Sequence, residues 1–172
     1  MPTIDDYPKR KKHRLRGYHY DMMANYFVTI VTNERKHLFG SIDGDSMMLS
    51  DAGKMIEHCI LQLPLEYADC EIVRYVVMPN HVHILIHLPE GLCLYEVVRK
   101  FKAVTTRAYM EGVMQSAWQP FHLKLWQRSY YDHIIRNHVD YSRVETYIIN
   151  NPQRWVWDRL NKDFNSKELD EW

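Results

Sequence analysis

"CEIVRYVVMPNHVHILIHLP", residues 70–89, decides how the chain is read. Two runs rich in Val, Ile and Leu flank Pro79-Asn80, a dipeptide that marks a turn or bulge. The runs read as two strands, 70–79 and 81–89, close enough to pair antiparallel. Side chains alternate along a strand, so Val82, Ile84 and Ile86 point to a core while His81 and His83 share the opposite face. Their backbones are then about 6–7 Å apart, and imidazole nitrogens on that spacing can converge on one divalent metal. His87 falls on the same face but roughly 13 Å beyond His83 along the strand. Leu85 stands where a third clustered histidine is needed, which argues against the nucleotide hydrolases whose three histidines alternate without a break. Two surface histidines on a half-exposed strand are the plain alternative. The turn before the pair and the unbroken alternation after it favour a built site.

Upstream, "NYFVTIVTN" (25–33) reads as a buried strand. "HLFGSIDGDSMML" (37–49), with Gly40 and Gly44 as turn residues, fits a small hairpin. "SDAGKMIEHCILQLP" (50–64) starts at Ser50 or Asp51 as N-cap. It repeats Met55, Ile56, Cys59, Ile60 and Leu63 at helical spacing, and Pro64 is expected to stop it. Downstream, "LYEVVRKFKAVTTRAYMEG" (94–112) is a second amphipathic helix, expected to end at Gly112. Its apolar stripe is Val97, Val98, Phe101, Val104 and Tyr109. Arg99, Lys100, Lys102 and Arg107 make it basic elsewhere. "LKLWQRSYYDHII" (123–135) fits a last strand or extended segment, and "HVDYSRVETYIINNP" (138–152) a third helix closed by Asn-Asn-Pro. The order strand–helix–strand–strand–helix–strand predicts an α+β fold with a ferredoxin-like βαββαβ core, an antiparallel sheet and helices on one face. The extra helix would lie near the sheet's edge or on its exposed face.

A chain of 172 residues, 46% hydrophobic, is expected to form one domain with a sizeable core. It has no apolar run near the ~18 residues of a transmembrane helix and no apolar segment behind its charged N-terminus. Cys59, Cys70 and Cys93 are odd in number and show no CxxC, so neither a disulfide framework nor a zinc knuckle is suggested. A cytoplasmic, nucleoid-associated location fits. Net charge is zero but uneven. The first 16 residues hold six Lys/Arg against two Asp, a net of +4, which leaves −4 on the rest. The expected layout is a basic arm (1–20), one domain (21–152) and a tail (153–172).

The basic arm is interleaved with aromatics. Arg10, Lys11, Lys12, Arg14 and Arg16 would attract phosphates, and Tyr18 and Tyr20 could stack on unpaired bases. Lys100, Lys102 and Arg107 on the second helix are another candidate contact surface. A solvated tail and a solvated helix face are the plain readings of the two.

Four segments together carry a resemblance: "RLRGYHY…NYFVTIVTNERKHLFG", "VRYVVMPNHVHILI", "LWQRSYYDHIIRN" and "TYIINNP". They run in order over residues 14–155 and resemble the REP-associated tyrosine transposases, relatives of the IS200/IS605 single-tyrosine (HUH) transposases. The resemblance implies a single-strand DNA nuclease and strand transferase, a transposase-like enzyme of DNA transposition and recombination. Its tyrosine attacks a phosphodiester, forms a 5′-phosphotyrosine link and frees a 3′-OH. It implies one divalent cation, Mg²⁺ or Mn²⁺, held by the two histidines and a carboxamide, and hairpin DNA of the REP element type as partner, with the protein as monomer or homodimer. The family sets its nucleophile on a helix with the third ligand four residues later. Tyr147 with Asn151 matches, which makes the third helix the catalytic one. Tyr141 with Glu145 has the same spacing, and Tyr130 and Tyr131 are further tyrosines of the region. The insertion-sequence relatives commonly have Gln where Asn151 stands, and Asn also suits a helix C-cap. His133 matches the family pattern as a DNA contact or site-shaping residue, while His58 and His122 read as ordinary. Two competing functions remain: a repeat-binding module without catalysis, and a metal-dependent nucleotide phosphoesterase.

Overall fold

The computed structural model describes residues 23–161. Six strands and three α-helices follow in order: β1 (Ala24–Val31), β2 (Gly40–Asp43), β3 (Ser46–Leu49), α1 (Asp51–Glu66), β4 (Glu71–Met78), β5 (His81–Leu88), α2 (Leu94–Ser116), β6 (Tyr131–Ile134) and α3 (His138–Ile149). The main sheet has the order β4-β5-β1-β6 with every neighbouring pair antiparallel, and β2 and β3 form a separate hairpin. Without that inserted hairpin the topology is the expected βαββαβ.

Both faces of the central strands are covered, for different reasons. On one face Val28, Ile30, Val82, Ile84 and Ile86 pack against Ile56 and Ile60 of α1 and Val97, Val98 and Phe101 of α2. On the other face only Leu85 meets Val144 and Ile148 of α3, with Phe27, Val73, Val76, Ile135 and Tyr141 partly buried around them. Full burial of each such side chain contributes about 1.5–3 kcal/mol, so the first face carries most of the stability. The second face is the one His81 and His83 share with Leu85. The helix after the core therefore lies on the sheet's second face, one of the two places the topology allowed.

Two helix ends fall beyond their expected positions. Pro64 lies inside α1, which runs on to Glu66. In the last turn proline forfeits one backbone bond, and the Tyr67 N–H still closes on the Leu63 carbonyl at 3.2 Å. Gly112 does not end α2, which continues to Ser116 and caps at Ala117 with φ +55°. A Cβ on Gly112 would stand 2.2 Å from the Trp118 ring, so this glycine answers to close packing instead of termination.

The turn between β4 and β5 is fixed from behind. Pro79 O accepts from the Leu38 and Phe39 N–H groups at 2.9 and 3.0 Å, and Asn80 O accepts from the Thr32 N–H at 2.8 Å. Phe39 O in turn accepts from the Ser50 N–H at 3.0 Å, and Ser50 caps α1 through a 3.1 Å bond from the Gly53 N–H. At Gly53 a Cβ would come within 2.1 Å of Phe39 O. Gly53→Ala should therefore destabilise the fold by about 1–3 kcal/mol through overpacking, although alanine is the better helix former by about 0.5–1 kcal/mol. Urea unfolding monitored by circular dichroism measures which effect wins.

Candidate active site

His81 and His83 are fully buried, at 0% and 2% exposure, under α3 and the segment that follows it. Their Nε2 atoms face each other at 3.0 Å. Each Nδ1 has its own partner: Asn80 Oδ1 at 2.8 Å for His81 and Thr29 Oγ1 at 2.8 Å for His83. The rings are cased by aromatics. Phe27 stacks on His83 with centroids 5.2 Å apart, and Trp155 lies 6.0 Å from His81 at 30°.

Asn80 determines how His81 is protonated. Its Nδ2 donates to the carbonyls of Arg35 (3.1 Å) and Leu160 (2.8 Å). The reverse orientation would set its oxygen against two carbonyl oxygens, so Oδ1 must be the atom facing His81. His81 Nδ1 then carries the proton and Nε2 presents a lone pair. Thr29 is adaptable where Asn80 is not. Its hydroxyl accepts from a His83 Nδ1–H or donates to a bare Nδ1, leaving Nε2 free or protonated accordingly. In the protonated case His83 Nε2–H donates to His81 Nε2.

Burial, and then the neighbouring His83, hold the His81 ring well below the ordinary histidine pKa, with the Asn151 carboxamide opposing. Burial alone pushes His83 down to about 3. Both rings are therefore neutral at physiological pH, the state in which imidazole ligates metals.

α3 brings the remaining groups. Val144, Ile148 and Asn151 recur at i, i+4 and i+7 and face the sheet. Tyr147 flanks that stripe, and its hydroxyl comes within 3.4 Å of His83 Nε2. Asn151 is 2% exposed, and its Oδ1 is buried without a hydrogen-bond partner. It is nonetheless near enough to the His81 ring and the Tyr147 phenol to affect both. Burial first, then the Asp158 charge, raise the Tyr147 pKa, while Asn151 and the Arg154 charge pull the other way. The alternative pair is engaged elsewhere. Glu145 pairs with Arg74 of β4 at 2.7 Å, and Tyr141 packs around the Leu85 cluster.

The segment after α3 forms a 3-10 helix (Pro152–Trp157) that returns over the histidines. It brings in a residue the sequence reading missed, Asp158. Its Oδ2 lies 3.7 Å from His81 Nε2. The two imidazole nitrogens and this oxygen all lie within 4.8 Å of one another, a set that could hold a metal ion. Burial raises the Asp158 pKa, opposed by the Leu160 N–H and the Arg35 charge. An open cleft of about 700 Å³ leads to Tyr147, His83 and Asn151, and is also lined by Phe27, Tyr131, Arg154 and Trp157.

The other expected site residues lie apart from this cleft. His133 projects from β6 and bonds Asp140 of α3 at 2.8 Å, and His87 bonds Asn25 at 3.1 Å. Lys100 pairs with Glu66 at 2.8 Å. Lys102 Nζ, half-buried, donates to the Gln127 and Ser129 carbonyls at 2.9 and 3.1 Å. Desolvation, then the Lys124 charge, lower its pKa to about 8. Arg107 is exposed. All three basic residues sit on α2, across the sheet from the histidines. Arg10, Lys11, Lys12, Arg14, Arg16, Tyr18 and Tyr20 lie outside the described residues.

The family described as "Transposase IS200 like" matches residues 20–151. The chain belongs to the IS200-like transposase family. An uncharacterized protein of Haemophilus influenzae is 32% identical over 90% of this chain and 94% of its own length. The REP-associated tyrosine transposase of Escherichia coli is 29% identical over 69% of this chain and 66% of its own. Among solved structures, a REP-associated tyrosine transposase bound to a REP hairpin superposes with a TM-score of 0.62 and 25% identity. It covers 85% of this chain and 76% of that one. A putative transposase from Deinococcus radiodurans shares the fold, with a TM-score of 0.51, 20% identity and coverage of 80% and 95%. Membership makes this an IS200-like transposase, a family that acts on DNA. Among its described residues no helix is long and apolar enough to cross a membrane.

Replacing Asn80 tests how the pair is set. In Asn80→Leu, His81 loses its Nδ1 acceptor and should shift toward the Nε2–H form, read by long-range ¹H–¹⁵N correlation of the imidazoles. The carbonyls of Arg35 and Leu160 lose their donor as well, at a stability cost of about 1–3 kcal/mol.

Proposed function

We propose that this protein is a metal-dependent single-strand DNA nuclease and strand transferase that cleaves hairpin-forming, repeat-type DNA with Tyr147 as nucleophile. The observation that carries the reading is the Tyr147 hydroxyl 3.4 Å from His83 Nε2, at the inner end of an open cleft. His81, His83 and Asn151 are the residues that would hold the cation, and the fit is chemical. Two neutral imidazoles and an orphaned, buried carboxamide oxygen are acceptors that need a positive partner. A bound Mg²⁺ or Mn²⁺ would supply charge stabilisation for the phosphate and favour the phenolate.

The protein's own groups then have distinct roles. Phe27 stacks on His83 and meets Tyr147 edge-on at 5.8 Å, so the rings hold each other in register. Tyr147 Oη bonds to phosphorus, the P–O3′ bond breaks, and the proton lost by the phenol balances the one gained by the departing 3′ oxygen. The phosphotyrosine conserves the bond energy for rejoining by a 3′-OH, without ATP. Arg154 in the cleft wall favours phosphate, and the aromatic rings beside it suit unpaired bases. The bound hairpin of the neighbouring solved structure supports a hairpin partner here. The arm over residues 1–20 would add phosphate contacts. Lys100, Lys102, Arg107 and His133 are weaker candidates, given their partners and placement.

Incubation with labelled hairpin oligonucleotides and Mn²⁺, followed by a denaturing gel, tests the reading. A slower band that survives SDS but not protease marks the covalent adduct. Tyr147→Phe removes one oxygen and should abolish both adduct and cleavage, with at most about 1–2 kcal/mol lost from stability. Tyr141→Phe is the matched control and should keep activity. Adduct formation by Tyr147→Phe would sink the assignment.

Deleting residues 1–16 should weaken hairpin binding and flatten its salt dependence, because log K falls with the number of phosphates neutralised. Fluorescence anisotropy across a salt series reads the slope. An unchanged slope makes the arm a solubility tail.

A further inference from the structure

The strap over residues 152–161 carries a carboxylate that the proposed chemistry leaves unused. The Asp158 side chain is only 10% exposed. Its Oδ1 accepts the Leu160 N–H at 2.7 Å, which shapes the local turn. Its Oδ2 is aimed at the histidines, 3.7 Å from His81 Nε2, too far for a hydrogen bond. The Arg35 guanidinium, whose charge acts on Asp158, directs Nη1 to the Arg159 carbonyl at 2.9 Å. His81 Nε2, His83 Nε2 and Asp158 Oδ2 thus converge, and the partnerless Asn151 Oδ1 lines the same cleft. Acceptors gathered out of water that outnumber the donors aimed at them are an arrangement a cation satisfies.

We propose that Asp158 is a ligand of the divalent cation, and that the strap after α3 delivers it to His81 and His83. This rests on the reading of the histidine pair as a metal site. Two imidazoles and a carboxamide are a neutral set, whereas hard ions of the Mg²⁺ and Mn²⁺ kind favour oxygen, carboxylates above all. Asp158 is the one anion of the converging group. A bound cation would also offset the cost of burying this carboxylate, which the Arg35 charge opposes only in part.

The strap is built to hold this position. Leu160 O accepts from Asn80 Nδ2 at 2.8 Å, and Arg159 O from Arg35 Nη1 at 2.9 Å. Asn161 Nδ2 donates to the Trp155 carbonyl at 3.2 Å, closing the strap on itself. Asn80 is also the residue that orients His81, so one carboxamide fastens both the strap and a ring it serves. The family match ends at residue 151. Asp158 therefore lies outside the segment that the family model matches.

Calorimetry and Mn²⁺ electron paramagnetic resonance on the full chain without DNA test the proposal. Asp158→Asn keeps the Oδ1 acceptor for Leu160 and nearly the same volume while removing the charge. Mn²⁺ affinity should fall by about tenfold or more, since affinity at oxygen sites follows ligand charge. Asp158→Glu keeps the charge and should recover most of it. His81→Ala should abolish binding. If Asp158→Asn binds Mn²⁺ as wild type does while His81→Ala does not, ligation by Asp158 is overturned and the histidine site stands. Equal losses in Asp158→Asn and Asp158→Glu mark a packing effect and also overturn it. Undiminished binding in His81→Ala overturns the metal reading itself.

Discussion

Two imidazoles out of water with their Nε2 atoms 3.0 Å apart impose a condition on everything around them. Protonating both there would set two like charges in contact in a medium that screens poorly. The rings must stay neutral, and their protons must be placed by the neighbours. Asn80 does this for His81, and it does so only because two carbonyls fix its own orientation. Those carbonyls come from the loop after β1 and from the strap after α3. Arg35, whose carbonyl serves here, has φ +53°, and Glu34 before it has φ +58°. Two consecutive non-glycine residues in the left-handed region cost of order 1–3 kcal/mol each. The surrounding bonds, Thr32 N–H to Asn80 O at 2.8 Å among them, hold the loop against that cost. A site about one turn of chain across thus depends on three segments far apart in sequence.

The same condition explains why α3 sits lightly on the sheet. The helix has only Val144 and Ile148 fully buried against Leu85, because the rest of the shared face is given to the histidines, Thr29 and Asn151. Its flanks are tied by Arg74–Glu145 at 2.7 Å and His133–Asp140 at 2.8 Å. Pairs this exposed contribute about 0–1 kcal/mol each. They orient the helix more than they stabilise it, and the large core on the other face carries the fold.

The strands and the βαββαβ order were legible because alternation is a local signal, and residues 70–89 alone display both faces of the central hairpin. The shared face of the histidine pair was legible for the same reason, whereas the i, i+4 spacing of Tyr147 and Asn151 is also that of Tyr141 and Glu145, and only the family resemblance separated the two pairs. Pro64 and Gly112 misled because their usual meaning is local while their role here is tertiary: a tolerated last turn, and close contact with Trp118. Lys102 read as a solvent-facing cation because nothing nearby in sequence announces the Gln127 and Ser129 carbonyls that claim it. Asp158 and the orienting role of Asn80 left no pattern at all. Their partners lie tens of residues away, and a lone Asp or Asn in a turn looks like any other.

Leu85 links the fold to the choice among functions. It occupies the slot after His83 on the histidine face, where a three-histidine hydrolase would need its third imidazole. Here the slot is the footing for Val144 and Ile148, so the helix that carries Tyr147 reaches the sheet through it. A histidine at that position would set a polar ring under the helix and withdraw the one fully buried strand residue, among the described residues, in the cluster that α3 packs on. Trading Leu for a polar side chain there would cost a substantial part of the ~1.5–3 kcal/mol that a buried leucine contributes. A third histidine and a docked tyrosine helix are therefore competing uses of one position. The sequence took the helix, and with it a phenol hydroxyl 3.4 Å from His83. A pure binding module would have no need to bury two neutral histidines beside that hydroxyl, leave Asn151 Oδ1 unpaired and still keep a cleft open to His83 and Asn151. Each of those features costs stability, and a cation and a phosphate sharing the space, as proposed above, would offset that cost.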